Sequence, residues 1–275
     1  MGGKALFFDL DGTLWDREER IPPGTVRALE KARRAGCLVF VNTGRTRSFA
    51  LRPALFGIGL DGMVTGCGTR AEVRRPGDAR LSLKIGEARV LYEKVLPCGL
   101  LEPMIDGLEA HGFRVLLEGT DFMYADMAAF RDDPYMASVE KRAGDVLKDL
   151  KGERGRWRAS KMTCDMRLSP DREEVLSRLA GEWNLFRHGG DVCEIVPAGH
   201  DKAAGMRLVC SLLGIPMADT VAFGDGANDV DMLLGAGYGV CMGGGDAEAL
   251  AAADMAAPPV DEGGVEEALR RLGLC

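Results

Sequence analysis

Short, continuously apolar runs that each end in a polar loop constrain the fold of this chain more than any other feature. Three of them are ALFFDL at 5–10, CLVFVN at 37–42 and TVAFGD at 220–225. Runs of this length without polar alternation are typical of parallel strands that are buried on both faces. Each strand delivers its last, polar residues to a loop at its carboxyl end, which is where open α/β sheets bind ligands.

Helical patterns lie between these runs. After Pro22-Pro23-Gly24, small or apolar residues recur at helical spacing, and the pattern ends at Gly36, a residue type common just beyond a helix. A similar pattern fills 202–213. Strands that alternate with helices favour a parallel sheet with helices on both faces. We therefore predict an α/β fold with a Rossmann-like parallel-sheet core.

The middle of the chain is more charged and less regular. Its patterns predict helices at 86–96 and 135–150 and strands at 113–119 and 121–126. We interpret 82–191 as an inserted α+β cap domain. We assign the flanking segments, 1–81 and 192–275, to the core domain.

The charge balance and the cysteines limit the expected partners and compartment. The chain has 35 basic and 42 acidic side chains, a net charge of −7 and a pI near 5.2, and an acidic surface repels nucleic-acid phosphates. Its eight cysteines form no CxxC pair, which suits a reducing compartment. The first residues lack the layout of a signal peptide, and no apolar stretch approaches the roughly 18 residues of a membrane span. We expect a cytoplasmic monomer or weak homodimer that binds neither nucleic acid nor membrane.

Two carboxylates one residue apart follow the first predicted strand. Asp9 and Asp11 can face the same loop cavity because Gly12 lets the chain turn sharply after them. A purely structural interpretation is also open, since acidic residues and glycine are common in strand-to-helix turns. A calcium loop starting at Asp9 is excluded, because its sixth and twelfth positions hold Leu14 and Arg20 instead of glycine and glutamate.

Three further polar groups lie at strand ends or at a helix start. Thr43 and Gly44 follow the second strand, where a hydroxyl and an N–H suit a phosphate oxygen, although Thr43 could simply cap a helix. Lys202 begins a helix, and its ammonium and the helix N-terminus would both attract an anion. The loop after another strand has the sequence GDGAND and offers Asp225, Asn228 and Asp229. Each group alone has an ordinary structural explanation, but together, at one sheet edge, they predict a site for a phosphoryl group.

The segments FFDLDGTL, NTGR and GDGAND, with the lone Lys202 between the last two, resemble in order and type the four motifs of the haloacid dehalogenase-like hydrolases. The insertion after the second motif is similar to the Cof-type branch, whose members have a large α/β cap. The resemblance covers nearly the whole chain, and the cap matches in size and position. It implies a phosphatase that works through a phosphoaspartate.

The resemblance also implies roles for the motif residues. Asp9 would be the nucleophile, and Asp11 would protonate the leaving alkoxide and then deprotonate the attacking water. Mg²⁺ would be held by the side chains of Asp9 and Asp225 and by the main-chain carbonyl of Asp11. Asp229 would orient metal-bound water or the lysine from a second layer. The phosphoryl oxygens would be held by Thr43, Gly44, Lys202, Asn228 and the N–H of Leu10.

Residues that could choose the substrate are less specific. Cys67 stands where relatives often have Asn, and His200 where they usually have a small or hydroxyl residue. Both could border the substrate, and the structural alternatives are a packed thiol and an exposed loop histidine. The cap residues that could contact the substrate are Glu118, Asp121, Tyr124, Arg131 and Trp157.

The expected substrate is a small phosphomonoester, either a sugar phosphate or a similar metabolite, because a cap of this size would exclude water and large substrates. A phosphotransferase or mutase that uses the same phosphoaspartate is the alternative within this chemistry. A non-catalytic metabolite-binding module is the alternative from another class. It predicts loss of Asp9, Asp11 or Asp225, all of which are present.

Overall fold

The computed structural model describes residues 3–84, 86–188 and 190–275. The strands are β1 (Ala5–Phe8), β2 (Leu38–Asn42), β3 (Gly62–Thr65), β4 (Arg70–Val73), β5 (Arg89–Glu93), β6 (Arg114–Glu118), β7 (Met123–Ala125), β8 (Leu147–Asp149), β9 (Lys161–Asp165), β10 (Trp183–His188), β11 (Val192–Pro197), β12 (Thr220–Gly224), β13 (Gly239–Cys241) and β14 (Met255–Ala256). The helices are α1 (Pro23–Arg34), α2 (Arg47–Ala50), α3 (Cys98–Ala110), α4 (Pro134–Ala143), α5 (Arg172–Leu179), α6 (Lys202–Leu213), α7 (Val230–Gly235), α8 (Ala247–Ala252) and α9 (Gly264–Arg271).

The contacts divide the chain into two compact units. The first unit contains the chain up to Gly44, Leu51–Glu93 and Asp201–Cys275. The second unit contains Arg45–Ala50 and Lys94–His200.

The first unit is built on a mostly parallel sheet. Over the described residues, eight strands pair in the order β14-β13-β12-β1-β2-β3-β4-β5, and only β4 and β5 at one edge run antiparallel to their neighbours. The register aligns Phe8 of β1 with Val41 of β2 and Phe223 of β12. The carboxyl ends of these three central strands therefore lie side by side.

Helices cover this sheet because its strands are apolar on both faces. On one face, α6, α7 and α8 join a buried cluster that includes Phe7, Phe40 and Met206. Strand side chains that alternate with these, such as Phe8, point to the other face, where α1 packs on β2 and against α9. Phe7 stacks on Phe40 and Phe8 on Phe223, with ring centroids 4.7 and 4.4 Å apart. Such pairs contribute about 0.5–1.5 kcal/mol beyond their burial. The predicted α/β fold with a Rossmann-like core is confirmed.

The second unit has its own sheet. In the part of the chain that the structure describes, six strands pair in the order β10-β11-β9-β6-β7-β8, antiparallel except between β7 and β8. On one face, α3 and α5 pack on the strands through residues such as Leu101, Ile105 and Leu176. The other face packs on α4 through a cluster that includes Leu116 and Met123.

Two strands belong to a different unit from the domain to which the sequence analysis assigned them. Arg89–Glu93, within a segment predicted as a helix of the inserted domain, is β5 and pairs with β4 of the first sheet. Val192–Pro197, assigned to the core, is β11 and pairs with β9 and β10 of the second sheet. The boundaries at 81/82 and 191/192 therefore differ from the two observed units. The helix predicted over 135–150 ends at Ala143, because Gly144 takes a positive φ of 53°.

Candidate active site

Polar residues directly follow three neighbouring strands of the first unit. Asp9 follows β1, Thr43 follows β2 and Asp225 follows β12. Because these strands are parallel and adjacent, the three residues emerge at one edge of the sheet. The N–H of Asp9 continues the strand pairing by donating to the carbonyl of Phe223 at 2.9 Å.

Three carboxylates converge at this edge. Asp9, Asp225 and Asp229 each offer an oxygen atom, and the three atoms lie within 4.8 Å of one another. Asp9 is 6% exposed and Asp229 is fully buried. Carboxylate oxygens are the ligands that Mg²⁺ and Ca²⁺ prefer in proteins, so this group has the right chemistry for such an ion.

Lys202 lies between these acids at the start of α6. Its Nζ is 2.8 Å from Oδ1 of Asp9 and 2.7 Å from Oδ1 of Asp229, and it donates to Oδ1 of Asn228 at 3.2 Å. The helix starts here because the side chain of Asp201 accepts the N–H of Ala204 at 2.5 Å, which satisfies one open donor of the first turn. The lysine side chain is 2% exposed.

Burial and crowding shift the pKa values of these groups. Burial raises the pKa of Asp9 to about 8, with Lys202 opposing the shift and the neighbouring carboxylates adding to it. Burial also raises the pKa of Asp225 to about 6. For Lys202, burial favours the neutral amine, but Asp229 and Asp9 together outweigh it and raise the pKa. A single ammonium does not balance three carboxylates, so a divalent cation fits this site by charge as well as by donor type.

Asp229 uses both oxygens within the protein. Oδ1 binds Lys202, and Oδ2 accepts the N–H groups of Asp225 and Gly226 at 3.1 and 3.0 Å. The carbonyl of Asp225 in turn accepts the N–H of Asp246 at 2.8 Å. These bonds fix the loop after β12 and the lysine with respect to each other.

The side chain of Asp11, unlike that of Asp9, is exposed. Its Oδ1 accepts a hydrogen bond from the indole N–H of Trp15 at 3.2 Å. Trp15 is fully buried, and its main-chain N–H donates to the carbonyl of Leu10 at 3.1 Å.

Thr43 is held by β3 and by the turn that follows it. Its N–H donates to Val64 at 3.0 Å, and its carbonyl accepts the N–H of Cys67 at 3.1 Å. Cys67 is buried and has a φ of 53°, in the left-handed region that Asn adopts more readily than most residues. Cys67 therefore has a structural part in the site as a packed thiol whose backbone supports Thr43.

Two supporting residues were not predicted from the sequence. The hydroxyl of Thr13 donates to Oδ1 of Asp225 at 2.9 Å, and Nδ2 of Asn42 donates to the main-chain carbonyl of Lys202 at 2.8 Å. Both are fully buried. Their positions gave a signal, because each is next to a motif residue and a buried polar side chain needs a partner.

Two of the cap residues expected to contact the substrate lie in the core of the second unit. Tyr124 and Trp157 are each 3% exposed and belong to its hydrophobic cluster, which gives both a packing role, and their contact with substrate stays a prediction. Glu118 is also buried, and it accepts from the hydroxyl of Thr163 at 2.6 Å and pairs with Lys161 at 3.3 Å. Glu118 and Tyr124 lie on β6 and β7, and the strand alternation that turns their side chains inward is not apparent from polarity alone.

His200 lies within its own loop. Its Nδ1 is 3.2 Å from the carbonyls of Pro197 and Ala198. Of the remaining two cap residues, Asp121 is partly exposed and Arg131 is exposed, and their contact with substrate stays a prediction.

The sequence profile of the haloacid dehalogenase-like hydrolases matches residues 6–269. The chain belongs to this family. The predicted family and its enzymatic, hydrolytic character are thus confirmed, and the motifs that suggested them are the segments that form the site described above.

Relatives of this haloacid dehalogenase-like hydrolase match it along most of its length. It is 29% identical over 275 residues to YkrA of Bacillus subtilis, named as a candidate phosphatase, and covers 99% of that protein. It is 28% identical over 246 residues to the HMP-PP phosphatase of Yersinia pseudotuberculosis. This match covers 86% of this chain and 82% of the relative. The solved structure of the sugar phosphatase BT4131 is 26% identical with a TM-score of 0.77, covering 99% of this chain and all of that one.

In the three described stretches of this hydrolase, every helix is too short or too polar to cross a lipid bilayer.

Proposed function

We propose that the protein is a Mg²⁺-dependent phosphatase that hydrolyses small phosphomonoesters through a phosphoaspartate on Asp9. The observation that supports this most strongly is the buried Lys202, which pairs with Asp9 at 2.8 Å and with Asp229 at 2.7 Å beside the carboxylate of Asp225. A structural ion pair needs one acid, whereas phosphoryl transfer needs a nucleophile, a cation ligand and a fixed positive charge together.

Asp9 is the proposed nucleophile. In the first step a carboxylate oxygen of Asp9 attacks phosphorus, the bond from phosphorus to the ester oxygen breaks, and Asp11 gives its proton to that oxygen. In the second step Asp11 takes a proton from water, the water oxygen bonds to phosphorus, and the bond to Asp9 breaks. Inorganic phosphate leaves and Asp9 is regenerated.

The side chains of Asp9 and Asp225 and the main-chain carbonyl of Asp11 are the proposed ligands of Mg²⁺. When bound, the ion neutralises charge so that an anionic carboxylate can approach an anionic phosphate. Both oxygens of Asp229 are already engaged by the protein, which supports a role in orienting Lys202 rather than a place among the ligands.

The remaining motif residues are proposed to hold the phosphoryl oxygens. Lys202 supplies a fixed ammonium, Thr43 a hydroxyl, and Gly44 and Leu10 their N–H groups. Asn228 accepts from Lys202 through Oδ1, so its amide nitrogen is the atom that can donate to phosphate. Such preorganised donors stabilise transferred charge without reorganisation during the reaction.

The proposed substrate is a sugar phosphate or a similar small phosphorylated metabolite. Two relatives support this range, because one is named a sugar phosphatase and another an HMP-PP phosphatase. A screen of phosphorylated metabolites with Mg²⁺, read as released phosphate, tests the proposal. We expect several small phosphomonoesters to be hydrolysed.

The matched variants are Asp9→Asn and Asp78→Asn, an exposed aspartate of the same unit. We expect the first to abolish turnover and the second to leave it unchanged, with a cooperative melting transition of each variant showing that both fold. Turnover that survives Asp9→Asn would show that the nucleophile is misassigned.

A further inference from the structure

Trp15 directly follows the first motif segment, and the proposed chemistry gives it no role. Its side chain is fully buried, although it contacts the exposed Asp11. The indole Nε1–H donates to Oδ1 of Asp11 at 3.2 Å. The backbone of the same turn supports this contact, because Gly12 donates to the carbonyl of Trp15 at 3.2 Å.

The indole nitrogen imposes a chemical asymmetry on the carboxyl group. It is a donor only and cannot accept a proton or a hydrogen bond. Oδ1 of Asp11 must therefore present a lone pair to Trp15 whether Asp11 is ionised or protonated. The carbonyl oxygen of a carboxylic acid is a stronger acceptor than its hydroxyl oxygen, so in the acid form this contact favours the proton on Oδ2.

The burial of Trp15 makes this contact a fixed reference point. A fully buried indole has a single packed orientation, whereas an exposed aspartate samples several rotamers at an entropic advantage. Because the indole is fixed, the hydrogen bond restricts the exposed carboxyl group of Asp11 to one orientation.

We propose that Trp15 is a positioning residue that orients Asp11 and assigns its exchangeable proton to Oδ2. This proposal rests on the proposed function, in which Asp11 is the acid and base. In the first step the proton on Oδ2 moves to the ester oxygen as its bond to phosphorus breaks and the bond from Asp9 to phosphorus forms. In the second step Oδ2 takes a proton from the attacking water, the water oxygen bonds to phosphorus, and the bond from phosphorus to Asp9 breaks.

The dependence of the rate on the leaving group tests this role. A p-nitrophenolate leaves with little help from an acid, whereas an alkoxide needs the proton. Release of the alcohol is measured in a single turnover with excess enzyme, so that only the first step contributes. The substrates are p-nitrophenyl phosphate and an alkyl phosphomonoester from the metabolite screen.

The variant is Trp15→Phe, which keeps an aromatic ring and removes the donor. We expect its rate on the alkyl ester to fall at least about tenfold, and its rate on p-nitrophenyl phosphate to fall by clearly less. Equal losses on both substrates would indicate a merely structural role and overturn the proposal, as would an unchanged rate on the alkyl ester.

A second replacement addresses packing. Benzothienylalanine at position 15 has nearly the shape of tryptophan but a sulfur atom in place of the indole N–H. We expect the same selective loss, and a wild-type rate on the alkyl ester would overturn the proposal even if Trp15→Phe folds poorly.

A double-mutant cycle shows whether Trp15 acts through Asp11. With Asp11→Asn already present, Trp15→Phe should lower the alkyl-ester rate no further, because the group that it orients is gone. An undiminished additional loss would contradict the proposal. If the wild-type protein forms no phosphoenzyme on Asp9, the proposed function itself fails and this inference fails with it. A phosphoenzyme on Asp9 with no selective loss in the variants rejects only the inference.

Discussion

The two oxygens of Asp229 bind different parts of the site. One binds the ammonium of Lys202, and the other binds two consecutive N–H groups of the loop that presents Asp225. A fully buried carboxylate is stable in this position only because charge and hydrogen bonds replace its lost hydration. The same bonds fix the position of Lys202 relative to the loop that presents Asp225.

Replacing Asp229 with alanine should therefore destabilise the protein. The change removes an ion-pair partner of Lys202 and the acceptor of two buried N–H groups, so we expect the free energy of unfolding to fall by about 3 kcal/mol. Urea unfolding measures it, with Asp229→Asn as the control that retains the shape and one acceptor oxygen. A loss below about 1 kcal/mol in the alanine variant would contradict this description of the site.

The sequence predicts single residues of this site unequally. Asp9 and Asp225 could be predicted because they directly follow apolar strands, where the fold places ligands. The role of Trp15 could not, because it depends on where a buried side chain points after the turn forms. The positive φ of Cys67 could not be predicted either, because cysteine rarely adopts it.

The first turn of α6 places Lys202 because the helix approaches the turn after β3 very closely. A Cβ atom on Gly68 would lie 2.5 Å from the carbonyl of Asp201, and one on Gly205 would lie 2.4 Å from a methyl group of Val64. Glycine at both positions lets the helix start against this turn. Gly68 also has a φ of 83°, which strains any other residue.

Gly68→Ala should displace the start of α6 and lower turnover. The matched control is Gly214→Ala at the other end of the same helix, where φ is 68° and no atom lies within 4 Å of the new Cβ. Both changes should cost about 1 kcal/mol for the left-handed conformation, and only Gly68→Ala should cost more and reduce kcat. Equal stability and equal activity of the two variants would refute the proposed close approach.

Element type and element membership were predictable to different degrees. The apolar runs that predict β1, β2 and β12 are confirmed, because buried parallel strands have a distinctive composition. The segment that contains β5 has apolar residues that suit either a helix or an edge strand, and it was predicted as a helix. Pairing with β4 decides the outcome, and that is a contact between distant residues that local pattern does not contain.

At the scale of the whole molecule, the crowded acids link stability to pH. The pKa values of Asp9 and Asp225 are raised from 3.8 to about 8 and about 6. Between pH 3.8 and about 8 the folded state then binds more protons than the unfolded state, so the free energy of unfolding decreases as pH rises through this range. A cation bound by the same carboxylates favours their ionised forms and opposes the decrease.

We therefore expect the metal-free protein, kept in chelator, to unfold at lower urea concentration at about pH 8 than at about pH 5. Added Mg²⁺ should raise the midpoint more at the higher pH, where protons no longer compete for the carboxylates. Asp9→Asn should reduce both effects. A metal-free protein that is more stable at about pH 8 than at about pH 5 would show that the pKa values of these acids are not raised in the folded state.

The most direct test of the account is chemical trapping of the phosphoenzyme. The protein is mixed with Mg²⁺ and a phosphomonoester that it hydrolyses, and the reaction is quenched in acid. Borohydride is then added, because it reduces an acyl phosphate to an alcohol. The account predicts homoserine at position 9 by peptide mass spectrometry, dependent on substrate and absent in Asp9→Asn. Homoserine at another aspartate, or active turnover with position 9 always unmodified, would contradict it.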